Sequence, residues 1–106
     1  MLFAREQGTD PARVLDAIRP GFAGSRMLDM MGPKMAERNF AAGIEARLHD
    51  KDFGLVREIA HELGLQMPAM ELVASQLNAL VANGWGYDDT SSLLRVLELQ
   101  NAHKAG

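Results

Sequence analysis

Leu48-His49-Asp50-Lys51-Asp52-Phe53-Gly54-Leu55 sets a Lys-Asp pair into an apolar helical stripe. Leu48, Asp52, Leu55, Ile59 and Leu63 recur at spacings of four, three, four and four. That spacing puts them on one face of a helix. Four of the five are good core residues, so the face is expected to point inward. Asp52 then needs a charge partner or several hydrogen bonds, because an ionised carboxylate cannot fill a core slot alone. Arg26 and Lys34 are the candidate bases. Lys51 lies at the edge of the same face, where a stiff helix holds a cation at the rim of a core and aims it at an anionic or hydroxyl-rich ligand. The plainer account is a solvated lysine beside a solvated aspartate.

Helix signals fill the chain on either side of this stretch. Leu2 to Gln7 reads as the end of a helix stopped by Gly8, and is too short to stand alone. Asp10-Pro11 starts a second helix, with Val14, Leu15 and Ile18 as its apolar face and Pro20-Gly21 as its end. Gly21 to Ser25 is a glycine-bearing loop, and Ser25 caps a helix through Met31. Gly32-Pro33 is expected to interrupt that helix, with Pro33 starting another turn or two. Asn39 to Gly43 is a connection. A long helix runs from about Ile44 to Leu63 and stops at Gly64. Pro68 opens the next, with Met70, Val73, Leu77, Leu80 and Val81 inside, and Asn83-Gly84 closes it. After the turn Gly84 to Asp89, capped by Asp89 or Thr90, a last helix carries Leu93, Leu94, Val96 and Leu97. The tail Asn101 to Gly106 is expected to fray. No segment alternates with period two, so the predicted fold is all-α: a compact bundle of five or six helices.

The chain has 106 residues and 47% hydrophobic content, enough for one domain with a modest core. It has no cysteine, which excludes disulfides, thiolate metal sites and a cysteine nucleophile. Net charge is −3, with 14 acids and 11 bases interspersed and no basic tract of the kind nucleic acid binding uses. No apolar run approaches the ~18 residues of a membrane span, and no signal peptide pattern opens the chain. A cytoplasmic protein is the expectation.

The remaining candidates are weaker. Phe22 to Ser25 lets a backbone approach closely before a helix start, but it is neither a Gly-x-Gly-x-x-Gly fingerprint nor a P-loop. His49, His61 and His103 do not have metal-pair spacing, so no metal is expected. Glu58 and Glu62 share a solvent face, Asp88 and Asp89 read as turn and cap residues, and Ser91 and Ser92 as first-turn residues rather than nucleophiles. Met27, Met30, Met31 and Met35 read as adaptable core or interface filling.

An ordered set of residues carries a resemblance. Asp10-Pro11, Val14-Leu15 and Ile18 are followed by Ala23-Gly24-Ser25, Gly32-Pro33, Met35, Phe40, Gly43, Leu48 and Lys51-Asp52. Leu55, Gly64, Pro68, Gly84, Gly86, Asp89 and Ser91 continue it. Over essentially the whole chain this resembles the C-terminal helical domain of the β-hydroxyacid dehydrogenase family. That family includes 3-hydroxyisobutyrate dehydrogenase and tartronate semialdehyde reductase, and is related to 6-phosphogluconate dehydrogenase.

The resemblance implies a Rossmann domain ahead of this one, binding NAD or NADP, with a small hydroxyacid in the cleft between them. Residues 1–8 would be the tail of the interdomain helix, and residues 9–106 the helical domain. Lys51 would contact the cofactor near the nicotinamide, and Phe40 and Ile44 would lie near the closing wall of the cleft. Asp52 as the anchor of that site is our reading of the residues, not a family trait. The family's catalytic lysine, its dinucleotide fingerprint and its substrate-binding Ser-Gly-Gly lie upstream. This stretch is therefore expected to hold no catalytic residue and not to catalyse hydride transfer alone. A homo-oligomer is expected. The family's usual tryptophan after Gly-Ser is Arg26 here, and its aromatic after Pro-Gly is replaced in Ala42-Gly43-Ile44. Both changes bear on the substrate. The rival expectation is a non-enzymatic helical interaction module.

Overall fold

The computed structural model of the chain describes residues 1–102. Of the tail Asn101 to Gly106 expected to fray, Asn101 is instead helical and its side chain donates to Leu97 O at 2.9 Å; the part beyond Ala102, and His103 with it, lies outside the described residues. Six α-helices make up the described fold: α1 (Leu2–Glu6), α2 (Pro11–Ile18), α3 (Arg26–Glu37), α4 (Ala46–Glu62), α5 (Pro68–Ala82) and α6 (Leu93–Asn101), the last entered through a 3-10 turn, Thr90–Ser92. The sole β-type pairing among the described residues is an isolated bridge between Glu45 and Asp89. None of the described helices is long and apolar enough to cross a membrane.

Most boundaries follow local chemistry. The Asp10 carboxylate accepts from the Ala12 N–H at 3.0 Å ahead of Pro11, and the Ser25 hydroxyl accepts from the Leu28 N–H at 3.0 Å. Each satisfies an N–H that the helix itself leaves free. Gly8, Gly64 and Gly84 take positive φ of 79°, 68° and 86° just past α1, α4 and α5, a conformation costly for other residues. α1 is tied down by Arg5, which pairs with Glu98 of α6 at 2.7 Å, and Arg38 holds the same carboxylate oxygen at 2.8 Å.

One boundary departs from expectation. α3 runs unbroken through Gly32-Pro33. Part of the penalty for proline inside a helix is the clash of its ring with the preceding residue, and Gly32 has no Cβ to clash with. The same missing Cβ lets α2 close in: a Cβ on Gly32 would sit 2.6 Å from Leu15 Cδ2.

The second departure concerns α4. Its buried residues are Ala46 and Ala60, not the aliphatic stripe. Leu48, Leu55, Ile59 and Leu63 are 42%, 50%, 56% and 67% exposed. α4 packs along α5, with Arg57 reaching Glu71 at one end of the pair. Buried Ala60 and Ala74 supply small side chains on the two facing helices. At ~100° per residue, Leu48 and Leu55 stand about 200° round the helix from Ala46 and Phe53. The core gathers elsewhere, around Ala46, Leu80 and Val96, with Ala79, Trp85 and Leu93 packed against them.

Candidate functional site

Lys51 stands on the second turn of α4 and is exposed. Among the described residues it has no ion pair or hydrogen bond, so its ammonium is free to meet a ligand. Its neighbours at i−3 and i+4 are the half-exposed Leu48 and Leu55. Asp52 is exposed too, and no described side chain pairs with it. The inward anchor expected of Asp52 is thus overturned: its stripe faces out, where water solvates the carboxylate. Neither candidate base reaches it. Arg26 is exposed, and Lys34 is committed elsewhere.

The buried carboxylate of this region is Asp89, 1% exposed. Its Oδ1 accepts from Lys34 Nζ at 3.0 Å, the Gly43 N–H at 2.9 Å and the Ile44 N–H at 3.2 Å. Its Oδ2 accepts from the Ser91 N–H at 3.0 Å, which caps the 3-10 turn. Burial alone would raise the Asp89 pKa. Hydrogen bonds from Ser91, Lys34 and the Ile44 N–H outweigh it and hold the carboxyl well below the usual carboxylate range.

Around this node the connection 39–45 is stitched to the turn before α6. The Asp89 N–H donates to Phe40 O at 2.9 Å, and the Thr90 N–H to Ile44 O at 3.2 Å. The Ala46 N–H donates to Asp88 O and the Arg47 N–H to Gly86 O, each at 2.8 Å. Phe40 is half-buried, its ring 4.6 Å from the Arg95 guanidinium and 5.5 Å from that of Arg38. Arg95 also lies 4.4 Å from the Trp85 ring, within cation–π range, and donates to Asp88 and Ser92. Phe40, Ile44 and the start of α4 are therefore held to the same turn, Gly86 to Thr90, and Lys51 stands exposed on the next turn of α4.

The histidines do other work. His49 shares a 2.7 Å hydrogen bond with the Thr90 hydroxyl, and His61 a 2.6 Å contact with Glu71. Among the described residues no three His, Asp or Glu side chains converge as a metal site. What the arrangement offers is recognition: an unpaired cation beside apolar surface, on a rigid support. The sequence marks Asp89 as a turn or cap residue but does not reveal that it grips Lys34 and two backbone N–H groups. The available signal is Gly86-x-x-Asp89-x-Ser91 just ahead of a helix.

Known proteins share both the sequence and the fold. The family described as NAD-binding of NADP-dependent 3-hydroxyisobutyrate dehydrogenase matches residues 1–97. The 2-hydroxy-3-oxopropionate reductase of Escherichia coli (strain K12) is 39% identical over 104 residues, covering 98% of this chain and 36% of that protein. A probable mitochondrial 3-hydroxyisobutyrate dehydrogenase-like protein of Arabidopsis thaliana is 32% identical over 101 residues, 95% of this chain and 30% of that one. The crystal structure of 3-hydroxyisobutyrate dehydrogenase from Salmonella typhimurium shares the fold, with a TM-score of 0.84 at 18% identity over 89% of this chain and 33% of that one. The chain spans about a third of the length of the curated relatives it matches.

Proposed function

The chain belongs to the 3-hydroxyisobutyrate dehydrogenase family, and from that premise we propose that it serves as the C-terminal helical domain of an NAD(P)-dependent oxidoreductase acting on a small β-hydroxyacid such as 3-hydroxyisobutyrate or tartronate semialdehyde. The observation that carries the proposal is Lys51, an exposed cation without a partner among the described residues, flanked by Leu48 and Leu55 on a stiff helix. A charged group bordering apolar surface suits the nicotinamide riboside end of the cofactor, which presents an aromatic ring beside hydroxyls and phosphate. When bound, the nicotinamide supplies the hydride chemistry.

The rest falls to this chain's residues. Lys51 holds the cofactor by charge. Phe40 and Ile44 close the cleft wall, exclude water and orient the hydroxyacid. Residues 1–8 form the end of the interdomain helix and residues 9–106 the helical domain, with a Rossmann domain ahead of them. That domain brings the proton-transfer lysine. The exposed aliphatic arc of α4 supports burial against further protein, in a homo-oligomer. It supports the rival reading, a non-enzymatic interaction module, equally well, and the family match favours the enzyme.

The test uses the gene product that carries this chain behind its nucleotide domain. NADH and NADPH turnover is measured with both hydroxyacid pairs, before and after Lys51→Ala. Loss of a charged hydrogen bond of ~1.5–3 kcal/mol raises the cofactor KM about ten- to hundredfold. Unchanged cofactor KM and kcat reject the role of Lys51, and an intact wild-type protein with no turnover rejects the enzyme reading.

A further inference from the structure

We propose that Asp89 and Lys34 are positioning residues for the cleft wall, a role that rests on the function proposed for Phe40 and Ile44. A helix cap needs one acceptor, and Asp89 Oδ2 supplies it to the Ser91 N–H. The other oxygen has no part in the cap. It binds three donors from two other segments: Lys34 on α3, and the adjacent Gly43 and Ile44 N–H groups. Those two N–H groups belong to the connection that carries Phe40 and Ile44, and the connection has no helix of its own to hold it.

Gly43 gives independent support. A Cβ there would sit 2.8 Å from Lys34 Nζ and 3.4 Å from Asp89 Oδ1. Its φ is not in the left-handed region, so the backbone does not demand glycine. The nearest obstacle to a Cβ is the Lys34 ammonium, the free end of a flexible side chain, which an alanine would displace from its place beside Asp89. Among the described residues the pair makes no hydrogen bond or ion pair to Lys51, and α4, which presents Lys51, is fastened by backbone bonds from Ala46 and Arg47 that the pair does not make. Loosening the node therefore shifts the wall and leaves the cofactor cation in place.

This separation defines the experiment. In the intact enzyme, Lys34→Met is expected to lower kcat/KM for the hydroxyacid about ten- to hundredfold, since displacement of about 1 Å costs up to about a hundredfold, and Gly43→Ala to lower it in the same direction by less, while the cofactor KM stays within about twofold. Lys51→Ala is expected to show the converse split. Amide hydrogen exchange on the same intact enzyme provides the second readout, and either variant alone suffices if the other fails to fold. Exchange at Ile44 is expected to speed up about tenfold or more, with Leu77 and Leu80 in α5 unchanged. Equal acceleration at Leu77 and Leu80 shows general destabilisation and overturns the proposal. So does full hydroxyacid kcat/KM in both variants, with the enzyme reading left standing. A wild-type enzyme that turns over no hydroxyacid overturns that reading and the positioning role with it.

Discussion

Asp89→Asn removes one charge from the most heavily bonded side chain of the site. Four donors converge on the native carboxylate, at 2.9 to 3.2 Å. The asparagine oxygen can replace only one of the two carboxylate oxygens. If it keeps Lys34, Gly43 and Ile44, its NH2 group meets the Ser91 N–H donor to donor. The cap is then lost, at a cost of ~1 kcal/mol. The three remaining bonds lose their charge assistance, which roughly halves each of them. Breaking a buried ion pair outright costs ~3–5 kcal/mol, but Lys34 is 28% exposed and its ammonium can turn to water, so the lower end applies. The combined expectation, cap and weakened ion pair together, is a loss of about 4 kcal/mol at neutral pH, or a Tm lowered by ~16–32 °C.

Urea denaturation of the wild type and Asp89→Asn, across pH, checks both size and origin. The folded carboxyl has a lowered pKa, so the folded state binds fewer protons than the unfolded state in acid. Its contribution is fully present above the unfolded value of ~3.9 and is lost as pH falls below that value toward the folded pKa. The two stability curves should stand apart at neutral pH and converge below about pH 4. A difference under ~1 kcal/mol at neutral pH, or a gap that stays constant into acid, would refute the account of the node.

Three further outcomes follow from the packing. Gly32→Ala should lose ~1–3 kcal/mol, an overpacking cost against Leu15 and a clash of the new Cβ with the Pro33 ring, partly offset by better helix propensity; adding Leu15→Ala should relieve only the first part, with a coupling above ~1 kcal/mol in a double-mutant cycle. Leu80→Ala should cost ~2–5 kcal/mol by urea denaturation, whereas Leu55→Ala should fall within ~0.5 kcal/mol of the wild type, because Leu80 is fully buried and Leu55 half-exposed. Lys51→Ala should leave the stability of the chain within ~0.5 kcal/mol, which separates the cofactor role proposed for it from folding.

The helix ends are legible in the sequence because their chemistry is local. Asp10-Pro11, Ser25 and Pro68 start helices, and Gly8, Gly64 and Gly84 follow their ends, through interactions spanning a few residues. The unbroken helix at Gly32-Pro33 has a local contribution too: part of a proline's penalty is its clash with the Cβ of the residue before it, and glycine has none. Asp89 differs in kind. Its capping bond to Ser91 spans two residues and is visible, while its bonds to Lys34, Gly43 and Ile44 span 55, 46 and 45. No spacing rule reaches that far, because those contacts exist only once α3, the connection and the 3-10 turn have met.

The α4 stripe shows where periodicity stops informing. Spacing establishes that Leu48, Asp52, Leu55, Ile59 and Leu63 share a face, but which face turns inward is decided by competition between faces. Here the opposing face offers Ala46 and Ala60, whose small side chains let neighbouring elements approach closely. Close approach buries backbone and side chain together, so the face of small residues wins over the greasier one. The acid on the losing face then needs no partner, and Lys51 cannot owe its orientation to Asp52. Its support comes instead from the helix, whose start is fastened by Ala46 and Arg47 N–H bonds to Asp88 and Gly86. The placement of Lys51 therefore rests on those backbone bonds at the start of α4, which the Asp89 side chain does not make, so substitutions of Asp89 or Lys34 should move the Phe40–Ile44 connection while Lys51 keeps its place on the helix.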